Sequence, residues 1–577
     1  MKLENTTSPK EWYKKPTIPR AQWGQWLALA FLALAMLVTR RLGLSRLVTP
    51  DEHLWLNRSA NFYMGLSKGE LSWTRQSVHP GVTTMWAGVA GFIARYPQYL
   101  ASGLDNAGPQ EFDGYISAVK GVTPLQILVA GRIFLILGQT LVLLISFLYA
   151  CRLVGFSPAF FGFLLIVFDP FHLALTRLLH VDGMLSNLML LSLLALLNYG
   201  QKQRSRDLVV SATAAGLGLL TKLPAILMLP VAGLIIVYTF WKEADFQQNR
   251  YLSQLLKPIM RVFIAWVLVF VLVFIALWPA MWVMPVQTIT SMVKLGRSQV
   301  VTEQGKELFF DGEIIPSGGF GIKQWYFYPL TYLWRSTPVV LVGLLLVGAA
   351  LLRKHPRLSS PPIRLTLWSL LLFIGFFTFV MSLSAKKYDR YLLPVYAPLD
   401  MIAGVGWSTL AMALGGRRFP TFLRYTPYAI PLAAIALQAS LALNAYPYYL
   451  SYYNPLVGGS RLAPQVMQIG WGEGLDQAAQ YLNKKPGARN LKAISFLTSG
   501  CFSYYFEGRE REMPYMTDRI EDDDDWQKFI DSDYAVIYIS QWQRNISPPI
   551  LEYVARLNPE HTVWINGLEY ARIYKLH

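Results

Sequence analysis

Residues 26–38 read WLALAFLALAMLV, an uncharged run that ends at Thr39-Arg40-Arg41. With its Trp-rich leader the run covers about 22–43, roughly the 20 residues that cross a hydrocarbon core as a helix. No small-residue cleavage site ends it and the preceding stretch is polar, so it reads as a span and not as a removable signal. Runs of the same kind recur to about residue 450, near 128–152, 157–175, 183–199, 208–221, 223–240, 262–283, 337–352, 364–382, 391–411 and 427–446. That predicts a polytopic α-helical membrane protein of about eleven spans. Composition agrees: the 577 residues are 53% hydrophobic and 15% charged, against about 25% charged in soluble domains.

The net charge of +17 follows from topology. The short loops QKQRSRD, RKHPRLSSPPIR and GGRRFPTFLR fall on the same side as the Lys-rich N-terminus, and basic loops mark the cytoplasmic side. The expectation is a cytoplasmic N-terminus, and an odd number of spans puts everything after the last one outside. In a prokaryotic cell the membrane would be the plasma membrane. No basic–aromatic pattern asks for nucleic acid. Cys151 and Cys501 lie in different regions, so no structural disulfide is expected.

Two domains are expected: 1–453, the transmembrane unit with outward loops 44–127 and 284–336, and 454–577, a small α/β extracytoplasmic domain. In the second, GLDQAAQYLNKK and PPILEYVARLN read as helices and LKAISFL and DYAVIYIS as strands. HTVWINGLEYARIYKL reads as two strands around Asn566–Gly567. No catalytic set is evident there.

The informative polar residues gather at the outward ends of the spans. Asp51 and Glu52 follow the first span in PDEHLW. His79 precedes Pro80 in VHPGVTTMW, which opens a helix expected to lie along the membrane surface. Asp182 sits in LLHVDGML and Lys222 in LTKLP. Lys386, Lys387, Asp389, Arg390 and Tyr391 sit in SAKKYDRYLLP. Ionisable groups inside a bilayer are costly, so such residues face a cavity or the interface. Acids and cations together at an outer interface suit a lipid-phosphate-linked donor. Lys and Arg neutralise the charge that develops on a leaving phosphate, and a carboxylate takes the proton from an acceptor.

The order PDE, HVDGML, LTKLP and YDRYLLP, with a Pro-led interfacial helix after the first, resembles the family 39 glycosyltransferases of the GT-C class. These include protein O-mannosyltransferases and lipid A aminoarabinose transferases. The resemblance covers roughly residues 20–450. It implies a polyprenyl- or dolichyl-phosphate sugar donor, an outward active site and inversion at the anomeric carbon. It also implies Asp51 as catalytic base with Glu52 shaping the site, and Asp182 as a second pocket carboxylate. Lys222, Lys387 and Arg390 would form the phosphate clamp, with Tyr391 and His79 beside the substrate. Where many relatives have Lys-Pro-Pro, this chain has His79-Pro80-Gly81, a weaker and pH-dependent cation.

Blander readings stand beside these. Asp51 and Asp182 suit helix starts, Lys222 suits a snorkelling span end, and Asp389 suits neutralisation of Arg390. Asp169 before Pro170 reads as a helix-end feature, and EDDDDW (521–526) as a solvated acidic turn without calcium-loop spacing. Two other functions compete. A lipid-diphosphate-dependent oligosaccharyltransferase or polymer ligase would use Asp51, Glu52 and Asp182 around a divalent metal. A transporter or flippase would show repeat symmetry, and none is visible. The leading expectation needs no cofactor and no metal. Its partners are the lipid-linked donor, a protein, lipid or glycan acceptor, and membrane lipids.

Overall fold

The computed structural model of the protein describes residues 20–243, 252–301, 307–316, 324–415, 426–518 and 523–577. Helix α1 (Arg20–Arg41) leads into a segment filled by three helices, α2 (Pro50–Lys68), α3 (Val82–Arg95) and α4 (Pro109–Ala118). Long apolar helices follow: α5 (Pro124–Val154), α6 (Phe156–Phe168), the short α7 (Pro170–Leu175), α8 (Val181–Lys202), α9 (Ser205–Thr221), α10 (Met228–Glu243) and α11 (Leu252–Ala276). Two further helices, α12 (Ala280–Val283) and α13 (Pro285–Val301), precede a small hairpin, β1 (Leu308–Phe310) and β2 (Glu313–Ile315). Then come α14 (Phe327–Arg335), α15 (Pro338–Leu352), α16 (Pro361–Ser382), α17 (Leu393–Gly415) and α18 (Thr426–Asn444).

Every predicted span coincides with helix. Among the described residues, seven are long and apolar enough to cross a membrane alone, and two bent pairs raise the number to nine. Helix α6, with 13 residues, and α9, with 17, fall short of the length that a crossing needs. Burial divides the helices by position. Helix α8 is buried along nearly its whole length against α5, α9 and α17, whereas Leu268 and Leu272 of α11 stand exposed, as lipid-facing side chains do. The protein is an integral membrane protein. Buried polar groups in such a bundle must find partners. Arg40 donates to the Thr176 hydroxyl, and Asn187 joins the Gln139 amide to the His172 ring.

The chain after α18 packs an α/β unit onto the helix ends. It contains α19 (Gly459–Val466), α20 (Leu475–Asn483), β3 (Lys492–Ser495), β4 (Arg509–Glu512), α21 (Asp524–Ile530), β5 (Tyr534–Tyr538), α22 (Ile539–Gln543), α23 (Pro548–Val554), β6 (His561–Ile565) and β7 (Leu568–Lys575). Its sheet runs β4-β3-β5-β7-β6, with the first two pairings parallel and the last two antiparallel. All four strands and both helices read from the sequence are present, and strand β4 was missed. RERE (509–512) lacks apolar alternation because it is an exposed edge strand. The acidic run also differs from the expected turn. Asp523 caps α21 by accepting from the Asp525 N–H at 2.8 Å, while residues 521–522 lie outside the described residues.

Two basic segments used for sidedness, the N-terminal residues 1–19 and most of GGRRFPTFLR, also lie outside the described residues.

Candidate functional site

Helix α2 begins Thr49-Pro50-Asp51-Glu52, a start that places two acids differently. Pro50 suits the first helical position. The Glu52 carboxylate reaches back to accept from the Thr49 N–H at 3.1 Å, half of a capping box. Successive helical side chains point about 100° apart, so Asp51 faces elsewhere.

Glu52 is fully buried. Arg132 of α5 grips both its oxygens, Nε at 2.7 Å and Nη2 at 2.5 Å, and the Leu179 N–H donates at 2.7 Å. Arg132 also donates to the carbonyls of Leu44 and Leu47. Glu52 is therefore a knot that joins α2, α5 and the loop before α8.

Asp51 opens into a cavity of about 320 Å³ between the helix ends and the C-terminal unit. Its Oδ2 lies 3.3 Å from His180 Nε2 and 3.4 Å from Arg390 Nη2. His180 Nδ1 lies 3.4 Å from both the Asp182 N–H and the Asp182 carboxylate, so the ring bridges the two acids. Burial pushes the Asp51 carboxyl up. The His180 hydrogen bond and the charges of Arg390, His180 and Lys222 outweigh it and hold the carboxyl well below the usual range.

Behind Asp51 a chain of charges continues. Lys222 donates to Asp182 Oδ1 at 2.7 Å, and Arg390 Nε lies 3.5 Å from Asp182 Oδ2. Tyr391 lies under both cations, 4.1 Å from Lys222 Nζ and 5.5 Å from the Arg390 guanidinium. The structure thus brings Asp51, Asp182, Lys222, Arg390 and Tyr391 together. Lys387 is buried on the same cavity wall, and burial pushes its ammonium down to about 8.

His79 comes close as well, because the start of α3 is tied to the end of α9. The Gly81 N–H donates to the Thr221 carbonyl at 3.1 Å, and the Thr83 and Thr221 hydroxyls meet at 2.7 Å. Burial and the Lys222 charge push the His79 imidazole down to about 3. It is therefore neutral at working pH, which corrects the expectation of a weak cation. Gly81 has φ +60°, and a Cβ there would lie 2.0 Å from the Trp55 ring, so the third position of this motif admits only glycine.

Asp389 corrects another expectation. It accepts from Arg335 Nε and Nη2, both at 2.8 Å, and from the Arg390 backbone N–H; it serves Arg335 rather than the Arg390 side chain. Arg335 then fans out to the carbonyls of Leu450 and Tyr452.

Sequence reasoning missed His180, Arg335 and the contribution of the C-terminal unit. His180 stood in a quoted motif, two residues before a chosen acid. The unit contributes Trp471, which lies 4.3 Å from the Arg390 guanidinium and edge-on to His180 at 5.2 Å. Tyr388 covers Arg390 at 4.4 Å. Trp471 belongs to Gly470-Trp471-Gly472-Glu473-Gly474, whose three glycines have φ of +93°, +109° and +85°. A Cβ on Gly472 would lie 2.5 Å from the Val48 carbonyl. The loop is thus pressed against the chain just before α2. The signal in the sequence was GWGEG itself, three glycines around an aromatic and an acid.

Residues 125–282 match the family model described as dolichyl-phosphate-mannose-protein mannosyltransferase. The resemblance to GT-C glycosyltransferases is therefore found by this comparison too, over the stretch that holds Arg132, His180, Asp182 and Lys222. Several solved structures resemble this chain at low sequence identity. ArnT from Cupriavidus metallidurans, bound to undecaprenyl phosphate, is 14% identical with a TM-score of 0.44, covering 96% of this chain and 98% of that one. The oligosaccharyltransferase AglB from Archaeoglobus fulgidus is 12% identical with a TM-score of 0.46, covering 90% and 70%. The S. cerevisiae O-mannosyltransferase Pmt1-Pmt2, bound to its sugar donor, is 15% identical with a TM-score of 0.35, covering 48% and 35%. No curated protein matches the chain.

Proposed function

We propose that the protein is an inverting glycosyltransferase that moves a sugar from a polyprenyl-phosphate carrier to an acceptor on the outer face of the membrane. The observation that carries this reading is Asp51: a carboxylate held ionised at the mouth of a cavity and ion-paired to Arg390. An ionised carboxylate can take a proton from an acceptor hydroxyl or amine. The acceptor atom then attacks the anomeric carbon from the face opposite the phosphate, the glycosidic C–O bond to phosphate breaks, and polyprenyl phosphate leaves with the electron pair. Arg390 and Lys387 would neutralise that phosphate. Lys222, tied to Asp182, would hold Arg390 in place and contribute its field, and Tyr391 would support both. In this reading His79 binds as a neutral hydrogen-bonding group, and Glu52 positions α2 without touching substrate. Phe309, Phe310 and Phe327 on the cavity wall offer an apolar surface for the first isoprene units.

The lipid-diphosphate reading needs Asp51, Glu52 and Asp182 to converge on a cation. Each is turned instead toward a side chain, Arg390, Arg132 and Lys222 respectively. The reading extends to an odd number of spans, the 1–453 and 454–577 domain division and the outward placement of the C-terminal unit. Incubating membranes with radiolabelled polyprenyl-phosphate sugars, and identifying the labelled product, tests the function. Transfer that survives in Asp51→Asn at near-normal rate would refute it.

A further inference from the structure

The C-terminal unit brings a cation to the cavity whose donors are not all used. Arg544 follows α22 and is 6% exposed. Its Nε donates to the Ser540 carbonyl at 2.9 Å and its Nη1 to the Glu307 carbonyl at 3.1 Å. Among the described residues its Nη2 meets no acceptor; Glu307 attracts the guanidinium only from beyond ion-pair distance, and the Phe496 ring lies 5.8 Å from it. The other acids of the site are already engaged. Asp389 holds Arg335, while Asp51 and Asp182 share Arg390. Glu473, the unit's own acid on the cavity wall, accepts from the Trp471 N–H at 2.5 Å and the Tyr538 hydroxyl at 3.1 Å.

A guanidinium stays charged at any working pH, and a buried charge without a counter-charge is costly. Arg544 lines the same cavity as Lys387, which arrives from the loop before α17. Both are held where a ligand would be desolvated, and an arginine with unused donors suits the oxygens of a phosphate or carboxylate.

We propose that Arg544, together with Lys387, forms an oxyanion subsite through which the C-terminal unit takes part in substrate binding. The ligand is a phosphate- or carboxylate-class group, carried by the acceptor or by the lipid donor. Its place in catalysis rests on the glycosyltransferase reading; its existence does not.

The test uses the full-length protein purified in detergent, with two probes, undecaprenyl phosphate and inorganic phosphate. Binding is measured by calorimetry and by 31P NMR line broadening for wild type, Arg544→Gln and Arg544→Lys. A charge-assisted hydrogen bond is worth enough that its loss weakens binding about tenfold or more. If the acceptor brings the anion, inorganic phosphate binds even to protein saturated with undecaprenyl phosphate. Arg544→Gln then weakens that binding about tenfold, and Arg544→Lys retains part of it. If the donor brings it, Arg544→Gln weakens undecaprenyl phosphate itself by the same factor. Both probes binding within about twofold of wild type in Arg544→Gln, with the fold verified by an unchanged thermal midpoint, would overturn the proposal. Wild type that binds no undecaprenyl phosphate would count against the glycosyltransferase reading, while the inorganic phosphate arm still decides the subsite.

Discussion

Exchanging the two neighbouring acids for their amides should produce opposite defects. Glu52→Gln removes the carboxylate that Arg132 grips, and both side chains are buried, at 0% and 1% exposure. Breaking a buried ion pair from one side costs about 3–5 kcal/mol. Two Arg132 donors keep their carbonyls at Leu44 and Leu47, which places the expected loss near the low end, about 3 kcal/mol. Against a total stability of about 5–15 kcal/mol that is severe, and the thermal midpoint in detergent should fall by several degrees. Molecules that remain folded should still turn over, because Glu52 touches no cavity atom. Asp51→Asn should do the reverse, with a smaller fall in midpoint, since Arg390 keeps Asp182, and with transfer lost. The double variant Glu52→Gln/Arg132→Gln, which removes both charges, should recover part of the single variant's loss, a coupling that a double-mutant cycle reads directly. Differential scanning fluorimetry, paired with the transfer rate per folded molecule, measures all of these. A Glu52→Gln protein with a wild-type midpoint and no turnover would refute the division of labour between the two acids.

Four other outcomes follow from the site. The Lys387 ammonium, pushed to about 8 by burial, is charged below that pH and neutral above it. Donor KM should therefore rise as pH passes about 8, Lys387→Arg should flatten the rise, and a KM constant across that range would count against the clamp. Trp471→Ala removes one aromatic face from Arg390, a contact worth about 0.5–2 kcal/mol. It should lower kcat about 2- to 30-fold with partial rescue by Trp471→Phe; an effect on KM alone would argue against positioning. His79→Gln should leave the shape of the pH–rate profile between about 5 and 8 unchanged, since the imidazole is already neutral there, and loss of a limb near about 6.5 would contradict this. Gly81→Ala should destabilise by more than the roughly 1–2 kcal/mol of its backbone conformation, because its Cβ meets Trp55; an unchanged midpoint would show that the ring can move.

The apolar runs made the helical architecture legible, because in a bilayer length and hydropathy are nearly the whole specification of a spanning helix. They could not separate a full crossing from a short or bent one. Helices α6 and α9 are as apolar as their neighbours require, yet too short to cross alone. The five site residues that converge did so because each sits at a helix end on one face of the bundle, which an ordered list of motifs can capture. What a linear list does not carry is the direction of a side chain. Glu52 and Asp51 are one residue apart and serve different purposes, and only the positions of Arg132 and Leu179 separate them. Asp389 likewise looked like the counter-ion of its neighbour until Arg335, 54 positions earlier, proved to claim it.

The C-terminal unit was the least legible part for a related reason. Its helices and strands could be read, but Arg544 has no acid beside it in sequence, and Trp471 is marked only by the glycines and the acid of GWGEG. Their relevance comes from where the unit docks. The glycine-rich loop presses on the Val48 carbonyl just ahead of α2, so the same contact that seats the unit also brings Trp471 against Arg390 and His180. A cavity built in this way is closed by two parts of the chain more than 400 residues apart, Asp51 and Trp471. The acid, its cation and the aromatic face that holds the cation therefore assemble together only when both parts are folded and docked. The C-terminal unit thus belongs to the site as much as the helices do, whatever the acceptor proves to be.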